Sequence, residues 1–179
     1  MKAFKITTAF LFISVAVFSQ TFLPTDAGSK IHFVIKNFGI RTGGDFSGLK
    51  GTIVFDPKAI SASRFSVTVN SKTIDTDNST RDNHLRKSEY FDVERYPLIS
   101  FISTKVTTGS SPGLYHVTGK LSIKAVTKEV QFDFSTTPLA NGYLFKGEFD
   151  INRRDFNVGG SSMTLSDNLH LSLSVTANK

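Results

Sequence analysis

The chain has 179 residues, no cysteine, 39% hydrophobic residues and a formal net charge of +6, so it is the length of one domain and must hold its fold without a disulfide. The missing cysteine also excludes the lipid-anchored bacterial lipoproteins, which carry one at the mature start. The charges are scattered in sign, and the one local cluster, residues 81–95, mixes Arg and Lys with Asp and Glu, which argues against the one-sided basic stripe of a nucleic-acid-binding surface.

The first expected element is a leader. Lys2 and Lys5 make a positive start, residues 6–18 are uncharged and mostly apolar, and Val17 and Ser19 are small, which is the layout of a secretory signal peptide with cleavage after Ser19 or Gln20. The apolar run is too short for a helical membrane span, which needs roughly 20 residues. This reading leaves a domain over residues 20–179 and a periplasmic or secreted location. Without Lys2 and Lys5 the net charge is +4, from 19 Lys and Arg against 15 Asp and Glu, enough for a mild attraction and transient contact with anionic membrane surfaces.

From there the sequence alternates with period two. Apolar positions recur at Ile31, Phe33 and Ile35, then Leu49, Gly51, Ile53 and Phe55, then Phe65, Val67 and Val69, then Ile99 and Phe101. They continue at Tyr115, Val117, Gly119, Leu121 and Ile123, at Val130, Phe132 and Phe134, at Tyr143, Phe145, Gly147, Phe149 and Ile151, and at Leu169, Leu171, Leu173 and Val175. Successive strand side chains point to opposite faces, so these are eight strands, each with one apolar face. Turn chemistry separates them at Asp56-Pro57, Ser111-Pro112-Gly113 and Asn141-Gly142, and all five prolines fall outside the alternation. Short links imply antiparallel neighbours, in a closed barrel or a two-sheet sandwich.

Residues 73–97 break the pattern. Asn78 or Ser79 can cap a short helix reaching about Lys87, and an excursion this long covers a mouth, carries function or plugs a barrel end. Arg81, Asp82 and His84 resemble acid–base equipment, but no serine sits in a nucleophile-elbow sequence, so a hydrogen-bonded helix locking the insert to the sheet is the expectation and no catalytic residue is assigned. The four histidines, His32, His84, His116 and His170, form no metal-like pair at helical spacing, and no metal site is expected. His32 and His170, on the polar face of the first and last strands, become neighbours if the sheet closes. Gly43-Gly44 and Gly159-Gly160 do not match a phosphate loop, and no cofactor is implied.

Four ordered stretches carry a family likeness. They are Ser29-Lys30-Ile31-His32-Phe33 with Asp45-Phe46-Ser47-Gly48; Arg81-Asp82-Asn83-His84-Leu85 with Tyr90-Phe91-Asp92 and Tyr96-Pro97-Leu98-Ile99-Ser100-Phe101; Gly119-Lys120-Leu121-Ser122-Ile123 with Val126-Thr127-Lys128-Glu129-Val130; and Asn152-Arg153-Arg154-Asp155-Phe156-Asn157-Val158-Gly159. Together they make the chain resemble the YceI family of bacterial periplasmic proteins. It departs from the family at Lys36-Asn37-Phe38, where a histidine is frequent, and at Lys124-Ala125, where a glycine is frequent. The resemblance implies an all-β, eight-stranded antiparallel lipocalin-like barrel, a lid helix near residues 78–87, and a lipid or polyisoprenoid ligand inside.

An eight-stranded barrel is just wide enough to be filled by side chains or to hold one small ligand, and stands roughly 23 Å tall. With phenylalanine abundant at inward positions, the expected site is an elongated apolar tunnel lined by Phe33, Phe55, Phe101, Phe132, Phe134, Phe145 and Phe149, with Arg81 and His84 of the insert near one mouth. The rivals are a filled barrel that binds a partner protein and an esterase-like enzyme with a reactive serine near His84. Periodicity alone does not separate an open barrel from a filled one.

Overall fold

The alternating runs become eight strands: β1 (Gln20–Asn37), β2 (Ile40–Phe55), β3 (Arg64–Asp75), β4 (Leu98–Thr108), β5 (Leu114–Ile123), β6 (Val126–Leu139), β7 (Gly142–Asn152) and β8 (Leu165–Asn178). A computed structural model describes residues 20–179, and the leader expected over residues 1–19 lies outside the described residues. Each strand pairs antiparallel with the next, and β8 pairs back onto β1, closing the barrel. Closure pairs every strand on both sides over part of its length, which leaves only short segments of open sheet edge. It also settles the choice between barrel and sandwich.

β1 is longer than its alternation, which begins only at Ile31. Its first residues pair with the far end of β2, as Phe22 does with Ile53, and its last with the near end, as Phe33 does with Gly44. The irregular stretch between them, where the period is lost, lies along β8 through pairs such as Pro24 with Ala177. Asp26 in this stretch accepts the backbone N–H groups of Gly48 and Leu49 at 3.0 and 2.9 Å, tying the bulge to β2. Pro24 and Pro138 are therefore inside strands, at positions the sequence pattern had left out.

Because the strands alternate in direction, the connections fall at two ends. The upper end carries the hairpin at Phe38-Gly39, the insert between β3 and β4, the Lys124-Ala125 turn and the long link from β7 to β8. Within the insert, α1 (Ser79–Leu85) is capped by Asn78, whose side chain accepts the Arg81 N–H. The link from β7 to β8 opens with a 3-10 helix over Arg153–Phe156, capped in the same way by Asn152. The lower end carries the start of β1 at Gln20, the end of β8 and the three remaining connections.

The interior is divided along the barrel axis. The lower part is solid: Phe22, Ile53, Phe55, Phe65, Val106, Tyr115, Val117, Phe134, Phe145 and Ala177 form one buried cluster. Its rings meet edge to face around Phe55, at 5.4 Å from Tyr115, 5.2 Å from Tyr143 and 5.3 Å from Phe145. Such pairs add about 0.5–1.5 kcal/mol each beyond area burial. A second cluster at the upper end joins Leu121, Ile123, Phe156 and Val158 to Tyr90 and Phe91 of the insert, packing the insert and the β7–β8 link over the barrel.

Candidate ligand-binding site

Above the aromatic plug lies a cavity of about 340 Å³. That is near the lower bound for small-molecule sites, roughly 300–1,000 Å³. Its wall comes from the upper halves of the strands and from the insert, and is almost wholly apolar: Ile31, Phe33 and Ile35 of β1, Phe101 of β4, Phe132 of β6, Phe149 and Ile151 of β7, and Leu169, Leu171 and Leu173 of β8. Phe33, Phe101, Phe132 and Leu171 are half-buried, where the alternation alone implied low exposure, because their inner faces look into this space.

Glycines keep the upper lumen open. A Cβ on Gly44 would stand 2.6 Å from the ring of Phe33, one on Gly119 2.5 Å from that of Phe101, and one on Gly147 3.1 Å from that of Phe132. Each of these rings lies against the backbone of a neighbouring strand instead of reaching across the barrel. Phe132 also stacks on Phe149, with centroids 4.4 Å apart and planes 7° from parallel. In the lower part the rings project inward and meet one another.

Of the nine residues expected at the site, Phe33, Phe101, Phe132, Phe149, Arg81 and His84 line the cavity. Phe55, Phe134 and Phe145 do not; they belong to the plug. The tunnel expected along the barrel is therefore a shorter chamber with a closed floor. Alternation places a side chain inside the barrel, but its height, and whether it fills the lumen, depend on register and on what stands opposite.

The polar groups gather at the rim. The Arg81 Nε and Nη2 donate to Thr76 Oγ1 at 2.7 Å and to the Thr76 carbonyl at 2.6 Å. Buried Asp82 accepts from the Thr76 N–H and hydroxyl, so the end of β3 is clamped to α1. Arg81 Nη1 makes no hydrogen bond among the described residues and remains able to donate. His84 packs edge-on against Tyr90, with centroids 5.0 Å apart. β2 and β3 are paired only as far as Asp45 with Asp75, so residues 40–44 lack a partner on that side and the barrel rim is notched. A polar recess lies there, lined by His32, Arg41, Asp45, Asp75 and Asp77, and it shares Thr42, Thr76 and Arg81 with the apolar cavity.

Sequence reasoning missed several wall residues. Phe46, Tyr90 and Phe91 lie outside the clean alternation. Arg153 also reaches the cavity wall, although it is buried and fully engaged. It donates to the carbonyls of Ser166, Val158 and Gly160, each at 2.9 Å, and to Asp167 at 2.7 Å. Its place in the Asn152-Arg153-Arg154-Asp155 motif was the available signal. Three of the histidines are instead on the outer face, each beside a carboxylate: His32 with Asp45 at 2.6 Å, His116 with Asp133 at 2.8 Å, and His170 with Asp150 at 2.7 Å. His32 and His170 do stand on adjacent strands, but each faces a different residue across the β1–β8 pairing.

The YceI-like domain model matches residues 24–177. A UPF0312 protein of Pectobacterium atrosepticum is 34% identical over 152 residues, 81% of this chain and 78% of that protein. A UPF0312 protein of Yersinia enterocolitica is 33% identical over the same shares. Among solved structures, Burkholderia cenocepacia BcnA superposes with a TM-score of 0.79 at 24% identity, covering 86% of this chain and 98% of that one. A polyisoprenoid binding domain from Saccharophagus degradans gives 0.71 at 13% identity, covering 90% and 99%. With the barrel, its roofed apolar chamber and a family match across nearly the whole described chain, this protein belongs to the YceI-like family.

Proposed function

We propose that the protein is an exported carrier that holds the hydrophobic chain of an amphiphile in the upper chamber, for transport or storage, and catalyses no reaction. The ligand class is a polyisoprenoid, an isoprenoid quinone or a fatty-acid-like lipid. The observation that carries this reading is the almost wholly apolar cavity, with Arg81 of the insert beside it. An apolar tail fits such a wall because it leaves no buried polar group unpaired. The polyisoprenoid binding domain from S. degradans, which shares the fold, points to the same ligand class.

The closed floor changes the energetics. Each buried methylene contributes about 0.8 kcal/mol, and a chamber closed by the plug takes fewer of them than a tunnel through the whole barrel. Association and ordering cost about 4–15 kcal/mol. Useful affinity therefore needs a polar head engaged at the rim, where Arg81 Nη1 offers charge-assisted donors. His84 packs edge-on against Tyr90 in the cavity wall, which supports a wall role for it.

Native mass spectrometry of the protein purified from its own source, followed by organic extraction, tests the proposal. The expected result is a stoichiometric adduct that yields an amphiphile with an apolar chain. Unliganded protein that also fails to bind fluorescent fatty-acid or prenyl probes would overturn it.

A further inference from the structure

Among the described residues, the three most exposed large apolar side chains are Met163 at 105%, Phe38 at 76% and Ile40 at 69%. All three lie at the upper end, on the β1–β2 hairpin and the β7–β8 link. The two segments are joined, because the Phe38 N–H donates to the Thr164 carbonyl at 2.9 Å and Asn37 pairs with Leu165. Asn37, Thr42 and Leu165, at the base of these segments, belong to the cavity wall, so the apolar tip sits beside the chamber.

The hairpin is built against its own stability. Phe38 has φ +50° and Gly39 φ +77°, the signs a type I′ hairpin needs at both central positions. Asn is the residue suited to the first of these, whereas a bulky aromatic there is an outlier. In the second pair below the turn, Lys36 and Arg41 face each other across the ladder, and neither forms a salt bridge among the described residues. Like charges in that position repel. An exposed aromatic, a strained backbone and an opposed cation pair make a poor turn for folding, but they are the composition of a tip that enters an anionic lipid interface. The link that carries Met163 has no charged residue from Asn157 to Thr164.

We propose that Phe38, Ile40 and Met163 insert into the surface of an anionic lipid bilayer, with Lys36 and Arg41 against its headgroups, so that the cavity mouth is set on the membrane. The proposal takes its purpose from the carrier reading, but its test does not depend on it.

Flotation of the purified protein with phosphatidylcholine vesicles, with and without phosphatidylglycerol, reads the contact directly. Binding is expected to the anionic vesicles and to weaken with added salt, as the Debye length shrinks. Phe38→Asn should lower partitioning about tenfold. It should leave the melting temperature unchanged or higher, since Asn suits the backbone there. Met163→Ser should lower binding further, whereas Leu139→Ser, an exposed apolar residue at the opposite end, should not. Unchanged flotation of Phe38→Asn, or a wild-type dimer that this substitution dissociates, would overturn the proposal. Native mass spectrometry and titration of fluorescent fatty-acid and prenyl probes without vesicles separate the two readings. If the protein is unliganded and binds neither probe while flotation follows Phe38, the carrier reading fails and the membrane tip stands; if ligand or probe is bound but flotation ignores Phe38, the reverse holds.

Discussion

Phenylalanines with the same inward orientation do different work at different heights. Phe145 is buried in the plug against Phe55, Phe65 and Tyr143, so Phe145→Ala should cost about 3–5 kcal/mol in chemical denaturation. Phe132, with one face open to the chamber, should cost less on truncation yet alter probe affinity more. A substitution at Gly119 tests the glycine mechanism: Gly119→Ala puts a methyl 2.5 Å from the Phe101 ring and 2.7 Å from the Ile102 carbonyl, so the ring must swing into the lumen and the β4 backbone must also give. The expected result is a stability loss of about 1–3 kcal/mol together with weaker binding of an apolar probe. A variant that keeps both unchanged would show that the ring is not held where the glycine allows it.

The elements at the upper end are held by charged groups satisfied internally. Arg153 joins the 3-10 helix to the start of β8 and to the Gly159-Gly160 turn, so Arg153→Ala strands a group of carbonyls and the Asp167 carboxylate. A buried acceptor left without its donor costs about 1–3 kcal/mol, while Asp167 is part-exposed and keeps access to water. The effect of the substitution should appear as faster hydrogen exchange across residues 153–167 before the plug strands respond. Along β7 and β8, hydrogen bonds to Asp150 and then Glu148 raise the His170 pKa above its ordinary value of 6.5. The folded state thus prefers the protonated ring. This contribution is complete below pH 6.5 and is lost as pH rises through the raised value. Proton NMR should place the His170 midpoint above 6.5, and Asp150→Asn should bring it down.

For the molecule as a whole, the division into a solid floor and an open upper chamber explains how a barrel without disulfides tolerates a cavity. Packing lost above is offset by the aromatic cluster below, and α1 with the β7–β8 link roofs the space between. Period-two alternation made eight strands legible, and Asn78 ahead of residues 79–85 made the short helix legible, because both are local consequences of side-chain geometry. Inward orientation of Phe33, Phe101, Phe132 and Phe149 was legible for the same reason. The same signal at Phe55, Phe134 and Phe145 gave no height, and Phe46, Phe91 and Arg153 carried no periodic signal that marked them as wall. Barrel closure was implied by the family resemblance but not by the alternation, and the stagger between strands, the notch beside residues 40–44 and the meeting of the Phe38 hairpin with Met163 came only with the tertiary structure. They depend on which strands pair and at what register, and those pairings join residues far apart in the chain, whereas alternation records only how each residue sits relative to its immediate neighbours.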